Sequence, residues 1–529
     1  MKSIFGIFVF VILSSLSFGQ EVNKIVTIYN TDSTFMGTGV MQNGLMEGFW
    51  RFENPKTNQL IQTMFFQNGL REGKSIKYHP NKNKHVEAEY KGNKLNGAFM
   101  EYDVTGALKL ELIFKDSIPV GPYREYYGRA ENPDFFNPKQ IKKEGDFVNG
   151  KKDGRWITYY NSGQLAIVEN YKNGILEGPY MEYNVNGQLI VEVMYQNNFP
   201  NGPFKRYSFE NMLGEQGEYT KGRKTGKWIT YFPGTRIVES EKSYDANGNS
   251  SGEWKFYYEN KRLARVEKYE NGVPVGTWEE FFPNQNLAKR KTYALGMPVG
   301  EYIEHHSNGN ISVTGKYENG MKVGLWKNYF PDGTLFSIGE YKNDLKTDLW
   351  KYFNKINILV AEGEYILGSE NGQWFYYYDG GQLKSVGSYF LGFENGIWGL
   401  FYDNKQLTQE ETWSNGRLLN VGDYYSYDGS QILDKGTLKD GNGTRITYYI
   451  TGKKESEGQY KSGKADGTWI YYHENGRKAS EGSMIDGKKE GLWKYFNTSG
   501  RLEQIITFEE DEVVPEKELE PLIKFNPFD

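Results

Sequence analysis

The chain has 529 residues, of which 38% are hydrophobic and 16% aromatic, with 41 Tyr, 32 Phe and 12 Trp beside 62 Gly. Length alone allows roughly three or four domains, but Leu, Ile and Val are too scarce to fill several thick cores, and so many aromatics exclude a disordered chain. The 63 basic and 68 acidic residues nearly cancel to −5 and include no Lys/Arg block, so neither nucleic acid nor an anionic membrane is an indicated partner.

Residues 1–19 have the layout of a secretory signal peptide. Lys2 supplies the positive start, Ile4 to Leu16 the apolar stretch, and Ser17-Phe18-Gly19 the cleavage site, leaving Gln20 first. The apolar stretch is short for a membrane span, and no later stretch is apolar enough to be one. With no Cys anywhere, lipid attachment at a cleavage-site cysteine and every disulfide are excluded. The expectation is an exported bacterial protein, periplasmic or extracellular and not a lipoprotein.

Residues 20–47 read as N-terminal capping strands for a tandem repeat that fills 48–507. The frame Gly154-Arg-Trp156-Ile-Thr-Tyr159 returns at Gly178, Gly226, Gly324 and Gly467; nineteen anchors run from Gly48 to Gly491, and thirteen of the eighteen intervals are 24 residues. Each unit holds a three-residue turn ending in Gly, such as Asn161-Ser162-Gly163 or Pro331-Asp332-Gly333, and a second turn of the Asn173-Gly174 kind. The unit therefore folds back twice, into two antiparallel strands. A loop centred on Ser162 sets Tyr159 opposite Leu165 and Trp156 opposite Val168. The two aromatic columns are three residues apart and point to opposite faces. The spacing predicts an all-β fold, an elongated single-layer antiparallel β-hairpin repeat array (a β-meander or solenoid) of about 19 repeats of about 24 residues. A half-buried ring contributes roughly 2–3 kcal/mol while each ordered residue costs roughly 1–2 kcal/mol, so a lone hairpin cannot stand without its neighbours.

The unit Y-x-N-G-x-x-x-G-x-W-x-x-Y-Y-x-x-G-x-L resembles the variant MORN repeat of bacterial proteins, often labelled toxin-antitoxin system antitoxins, from about Leu45 to Thr507. The resemblance implies a MORN-like array acting as a scaffold or as a protein- or lipid-contacting surface, with an antitoxin- or immunity-like role as its narrower form. Some units depart from the pattern. Asp348 replaces the anchor Gly, Ser75 and Arg445 the first aromatic, and His305 the second. An insertion near 128–138 lengthens one interval to 33, and the interval from Gly422 to Gly443 shrinks to 21.

No catalytic, cofactor-binding or metal-binding set emerges. His79, His85, His305, His306 and His473 are scattered, without a metal-ligand spacing, and His305-His306 reads as two strand residues facing opposite ways. Asp245-Ala-Asn247-Gly-Asn249 begins like a calcium loop, but Ser250 and Phe256 stand where Gly and Glu are required, so it reads as an enlarged turn. Trp228, Trp254, Trp278, Trp326, Trp350, Trp374 and Trp398 form a candidate ladder for sugar rings or a peptide, against the plainer expectation that each ring packs its neighbours. The expected function is non-catalytic, without cofactors: an extended protein-interaction surface or scaffold in the cell envelope, with another protein as partner. A glycan- or cell-wall-binding array is the alternative. Residues 508–529, opening on Glu509-Glu510-Asp511-Glu512, read as an acidic C-terminal tail.

Overall fold

A computed structural model describes residues 24–30, 34–128, 137, 139–208 and 211–514. The expected signal peptide, most of the insertion near 128–138 and the end of the C-terminal tail lie outside the described residues. Among the described residues every element is a β-strand, and no helix is long and apolar enough to cross a membrane.

One repeat shows why the chain takes this form. Lys151–Tyr159 pairs antiparallel with Leu165–Lys172 through the predicted three-residue loop. Tyr160 N donates to Gln164 O at 2.8 Å and Gly163 N to Tyr160 O at 2.9 Å, with Gly163 left-handed at φ 88°. Asn173 and Gly174 make the second turn with φ of 53° and 81°, a two-residue hairpin whose twist matches its strands. Asp245 closes its turn in the same way, its Oδ1 accepting from the backbone N–H of Asn247 and Asn249, both at 2.8 Å.

The register differs from expectation by one residue. Tyr159 does face Leu165, but Trp156 faces Glu169, and Val168 faces Ile157. The cause is a bulge. Thr158 pairs with Ile167 and Tyr159 with Leu165, so Ala166 has no partner across the ladder. The same slip recurs between Asn328 and Tyr329 and between Tyr376 and Tyr377.

A 35-stranded sheet carries most of the chain, each strand pairing with its neighbour in sequence from Lys24–Tyr29 to Arg417–Val421. Tyr424–Tyr425 and Ile432–Leu433 form a small hairpin, and a seven-stranded sheet runs from Gly443–Tyr448 to Glu512–Val513. The repeat frame reaches past 507. Leu502–Glu509 is a full strand and Glu510-Asp511 its turn, with φ of 49° and 71°. The first part of the acidic cluster is therefore a hairpin rather than a tail. The chain divides into two compact units, Met1–Leu263 with Tyr269–Gly272, and Ala264–Lys268 with Val273–Asp529.

Candidate functional site

In a single layer, burial of a ring depends on what lies beneath it. Nine of the twelve Trp side chains lie flat on a glycine eleven residues earlier, on the preceding strand. A Cβ on Gly339 would stand 2.2 Å from the Trp350 ring, and one on Gly363 2.1 Å from Trp374. In eight of the nine the indole N–H reaches the preceding strand's backbone, Trp350 Nε1 donating to Glu340 O and Trp374 Nε1 to Glu364 O, both at 3.1 Å, while Trp326 Nε1 is left without a partner. Where the first aromatic is smaller, the residue beneath it is larger. Ala88 lies opposite Phe99, Val193 opposite Phe204, Leu112 opposite Tyr123, and Met64 opposite Ser75. Ser75 is thus compensated by Met64. Trp278 breaks the rule, with Glu267 eleven residues before it.

The rings on this face form a ladder. Trp350, Tyr352, Trp374, Tyr376 and Trp398 stack in succession with centroids 5.9–6.4 Å apart. Tyr352 and Tyr365 share a hydroxyl hydrogen bond of 3.0 Å, and Tyr376 and Tyr389 one of 3.1 Å. In five repeats a Lys four residues before the Trp lies over the indole, with Nζ 3.8 Å from the Trp228 centroid for Lys224 and 4.3 Å from Trp350 for Lys346.

This packing decides the fate of the candidate Trp ladder. Trp228, Trp326, Trp350 and Trp374 are 1–2% exposed and Trp398 6% exposed, while Trp254 and Trp278 are half-buried. The first five offer no ring face to a sugar, because the glycine beneath and the aromatic neighbours occupy both sides. The fold brings Trp326 through Trp398 together as core, and the sugar-stacking expectation is corrected for those five.

The opposite face carries the second aromatic column. Tyr159, Tyr207 and Tyr377 donate hydroxyl hydrogen bonds to Glu144, Glu192 and Glu362 at 2.6, 3.0 and 3.0 Å. Burial first, and the adjacent carboxylate second, push Tyr159 and Tyr377 up to about 12. These phenols are proton donors held in place. At the edge of the three-residue turns, Tyr160, Tyr378 and Tyr449 donate to a backbone carbonyl of the next repeat at 2.6–2.8 Å. His306 and His473 occupy the same slot and place Nε2 2.9 and 2.8 Å from the equivalent carbonyl. His79 and His85 are not scattered, since their rings stack with centroids 4.2 Å apart. Among the described residues no group of three or more His, Asp or Glu is placed to hold a metal ion.

The stretch that shortens the repeat builds a joint of its own. Leu418, Val421 and Leu438 form a small core, and Arg445, standing where a Trp would, forms an ion pair with Glu411, both side chains being 15% exposed or less. Trp413 Nε1 donates to the other oxygen of Glu411 at 2.8 Å.

The geometry defines a β-hairpin repeat protein whose core is a ring-on-glycine ladder. Six stretches, residues 152–173, 251–272, 322–343, 370–390, 465–486 and 489–510, match the MORN repeat variant. These six stretches, spread over residues 152–510, carry that repeat. No curated protein matches the sequence. Among solved structures it aligns with the crystal structures of TcdB2-TccC3-Cdc42 and of TcdB2-TccC3, at 10% identity and a TM-score of 0.12 in each case. The alignments cover 92% and 93% of this chain and only 31% and 32% of those chains.

Proposed function

We propose that the protein is a non-catalytic scaffold of the cell envelope that holds a partner protein on an extended surface. One observation carries the reading. In five of the nine repeats with a buried Trp the residue just before it is a large exposed apolar side chain, Phe49 58%, Leu325 49%, Leu349 47%, Ile397 66% and Leu492 64% exposed, and in the other four it is Arg155, Lys227, Gln373 or Thr468. Isolated exposed apolar residues are ordinary, but the same position exposed periodically makes a surface. The aromatic rings serve the fold, so recognition falls to these positions and to the turns. Export rests on Lys2, the Ile4–Leu16 stretch and Ser17-Phe18-Gly19, and the partner would be met outside the cytoplasm. The antitoxin-like role of similar repeat proteins is the narrower form of this reading.

The test is affinity capture from envelope extract with the mature chain, together with N-terminal sequencing of the exported protein. A saturable protein partner and a chain starting at Gln20 are expected. Recovery of no saturable partner sinks the scaffold, and an uncleaved cytoplasmic protein sinks the location.

A further inference from the structure

In nine repeats the first residue of the two-residue turn is Asn, held left-handed at φ between 47° and 53°. Asn and Asp visit that conformation more readily than most other non-Gly residues. Leu295, Leu367 and Leu391 occupy the same slot at φ of 50°, 51° and 49°. Leu is doubly misplaced there, strained in its backbone and unable to bury its side chain: the three are 85%, 75% and 48% exposed. Strain maintained where an ordinary Asn would relieve it points to use.

Of these turns, the one at Leu391 has apolar residues on both flanks and the one at Leu367 on one flank. Ile366 and Ser369 flank Leu367, and Phe390 and Phe393 face each other across Leu391-Gly392. Ile366, Phe390 and Phe393 are 45%, 54% and 57% exposed. Successive turns touch along this edge. Leu345 packs on Gly368, Ser369 on Gly392, and Phe393 on Gly416, each within 4 Å of the Cβ position of that glycine. The turns at 366–370 and 390–394 are therefore adjacent, with Ser369 and Glu370 of the first beside Gly392 of the second.

Charge sets the occupant. In five repeats the fourth residue before the Trp is the Lys that covers the ring, and elsewhere it is uncharged, as at Met46 and Ala465; only before Trp374 and Trp398 is it acidic, Glu370 and Glu394. Among the described residues no Lys or Arg pairs with either carboxylate or with the exposed Glu364 nearby; Glu370 accepts the Tyr365 hydroxyl on one oxygen at 3.1 Å, which leaves its negative charge uncompensated. The neighbouring cations are engaged, Lys346 with the Tyr352 hydroxyl at 2.8 Å and Arg417 with Ser462 O at 2.7 Å.

We propose that the turns at 366–370 and 390–394 dock a basic amphipathic segment of a partner protein. Its apolar side sits on Leu367, Leu391, Phe390 and Phe393, and its Lys or Arg side chains pair with Glu370 and Glu394. The proposal deepens the scaffold reading and rests on it.

The test uses the full chain and an amphipathic Leu/Lys helical peptide as probe, with a Leu/Glu peptide of the same pattern as control. The Leu367→Asn/Leu391→Asn variant restores the turn found elsewhere, and Glu370→Lys/Glu394→Lys restores the ring-covering Lys. Both variants should fold, and the first should melt higher than the parent. Each should weaken Leu/Lys peptide binding by about tenfold or more, the usual span for removing a central contact, and the Leu/Glu peptide should not bind. Equal binding of both peptides, or unchanged binding by either variant, overturns the proposal. So does a patch that binds zwitterionic vesicles or a second copy of the chain in a manner lost with Leu367→Asn/Leu391→Asn but indifferent to the charge reversal. Capture of an envelope partner equally by the parent and by both variants overturns the docking site alone and leaves the scaffold standing.

Discussion

A side chain separates Asp348 from its eighteen glycine counterparts. Asp348 occupies the anchor position at φ 57°, where Gly324 and Gly372 take 63° and 67°. Nothing stands within 4 Å of a Cβ placed on Gly324, so the misfit is conformational rather than steric. Relief of about 1–2 kcal/mol of left-handed strain, set against roughly 0.5–1 kcal/mol for the freer unfolded glycine, makes Asp348→Gly stabilising by up to about 1 kcal/mol. Asp348→Val should instead cost at least that much, and urea unfolding of the pair reads the sign. Titration acts at the same scale. Burial first, and then His79, lowers His85; burial and then Arg290 lowers His305. Unfolded histidines take up protons near pH 6.5 while these two resist, so their contribution is complete above about 6.5 and is lost as the pH falls through their lowered values. The urea midpoint should therefore drop between about pH 7.5 and 5.5. The drop should shrink in the His85→Gln/His305→Tyr variant, and an identical drop in both proteins would remove these histidines as its cause. The anchor glycines were legible from spacing alone. The glycines beneath the rings recur just as regularly, eleven residues before the Trp, but only the strand register shows that the interval spans one ring and its seat.

At the scale of the hairpin, ring and seat behave as one part. Overpacking by one methyl costs typically about 1–3 kcal/mol, which is the expected loss for Gly339→Ala beneath Trp350. The Ala88 and Phe99 pair shows the compensated form. Gly339→Ala with Trp350→Phe should accordingly lose less than the two single changes summed, with a coupling of about 0.5–3 kcal/mol. Strict additivity would mean that the pairing of sizes is coincidental. A second element-scale prediction concerns the joint. Removing one member of a buried ion pair typically costs about 3–5 kcal/mol, because the other is left charged and dry. Glu411→Ala leaves Arg445 in that state and also strips Trp413 Nε1 of its acceptor. Faster amide exchange confined to the segment between Leu418 and Tyr448 is the expected readout. The sequence marks this stretch as irregular but not as joined to Glu411, since an ion pair 34 residues apart follows no repeat interval. The one-residue slip at Trp156 was hidden for a similar reason. A bulge changes which residues face each other without changing the spacing of either column.

At the scale of the whole molecule, stability is a sum of neighbour terms. Each ring is seated on the strand before it, covered by the strand after it, and tied at the turn edges to the next repeat. Such an array tolerates the loss of a whole unit but not of half a unit. Excision of residues 339–362 joins Ile338 to Gly363, which then continues the frame of Gly339 and still seats Trp374. Removal of residues 339–350 instead joins Ile338 to Lys351; it discards Trp350 with its own seat Gly339 and the turn between them, and turns apolar side chains to the opposite face. The 24-residue excision should retain the β-sheet circular dichroism and a cooperative melt close to the parent's. The 12-residue excision, although smaller, should lose cooperativity and bind a hydrophobic dye. A synthetic peptide of one repeat should remain unfolded, since its ring has neither seat nor cover. If the shorter excision were tolerated as well as the longer, the 24-residue ring-and-seat frame would not be the unit of stability.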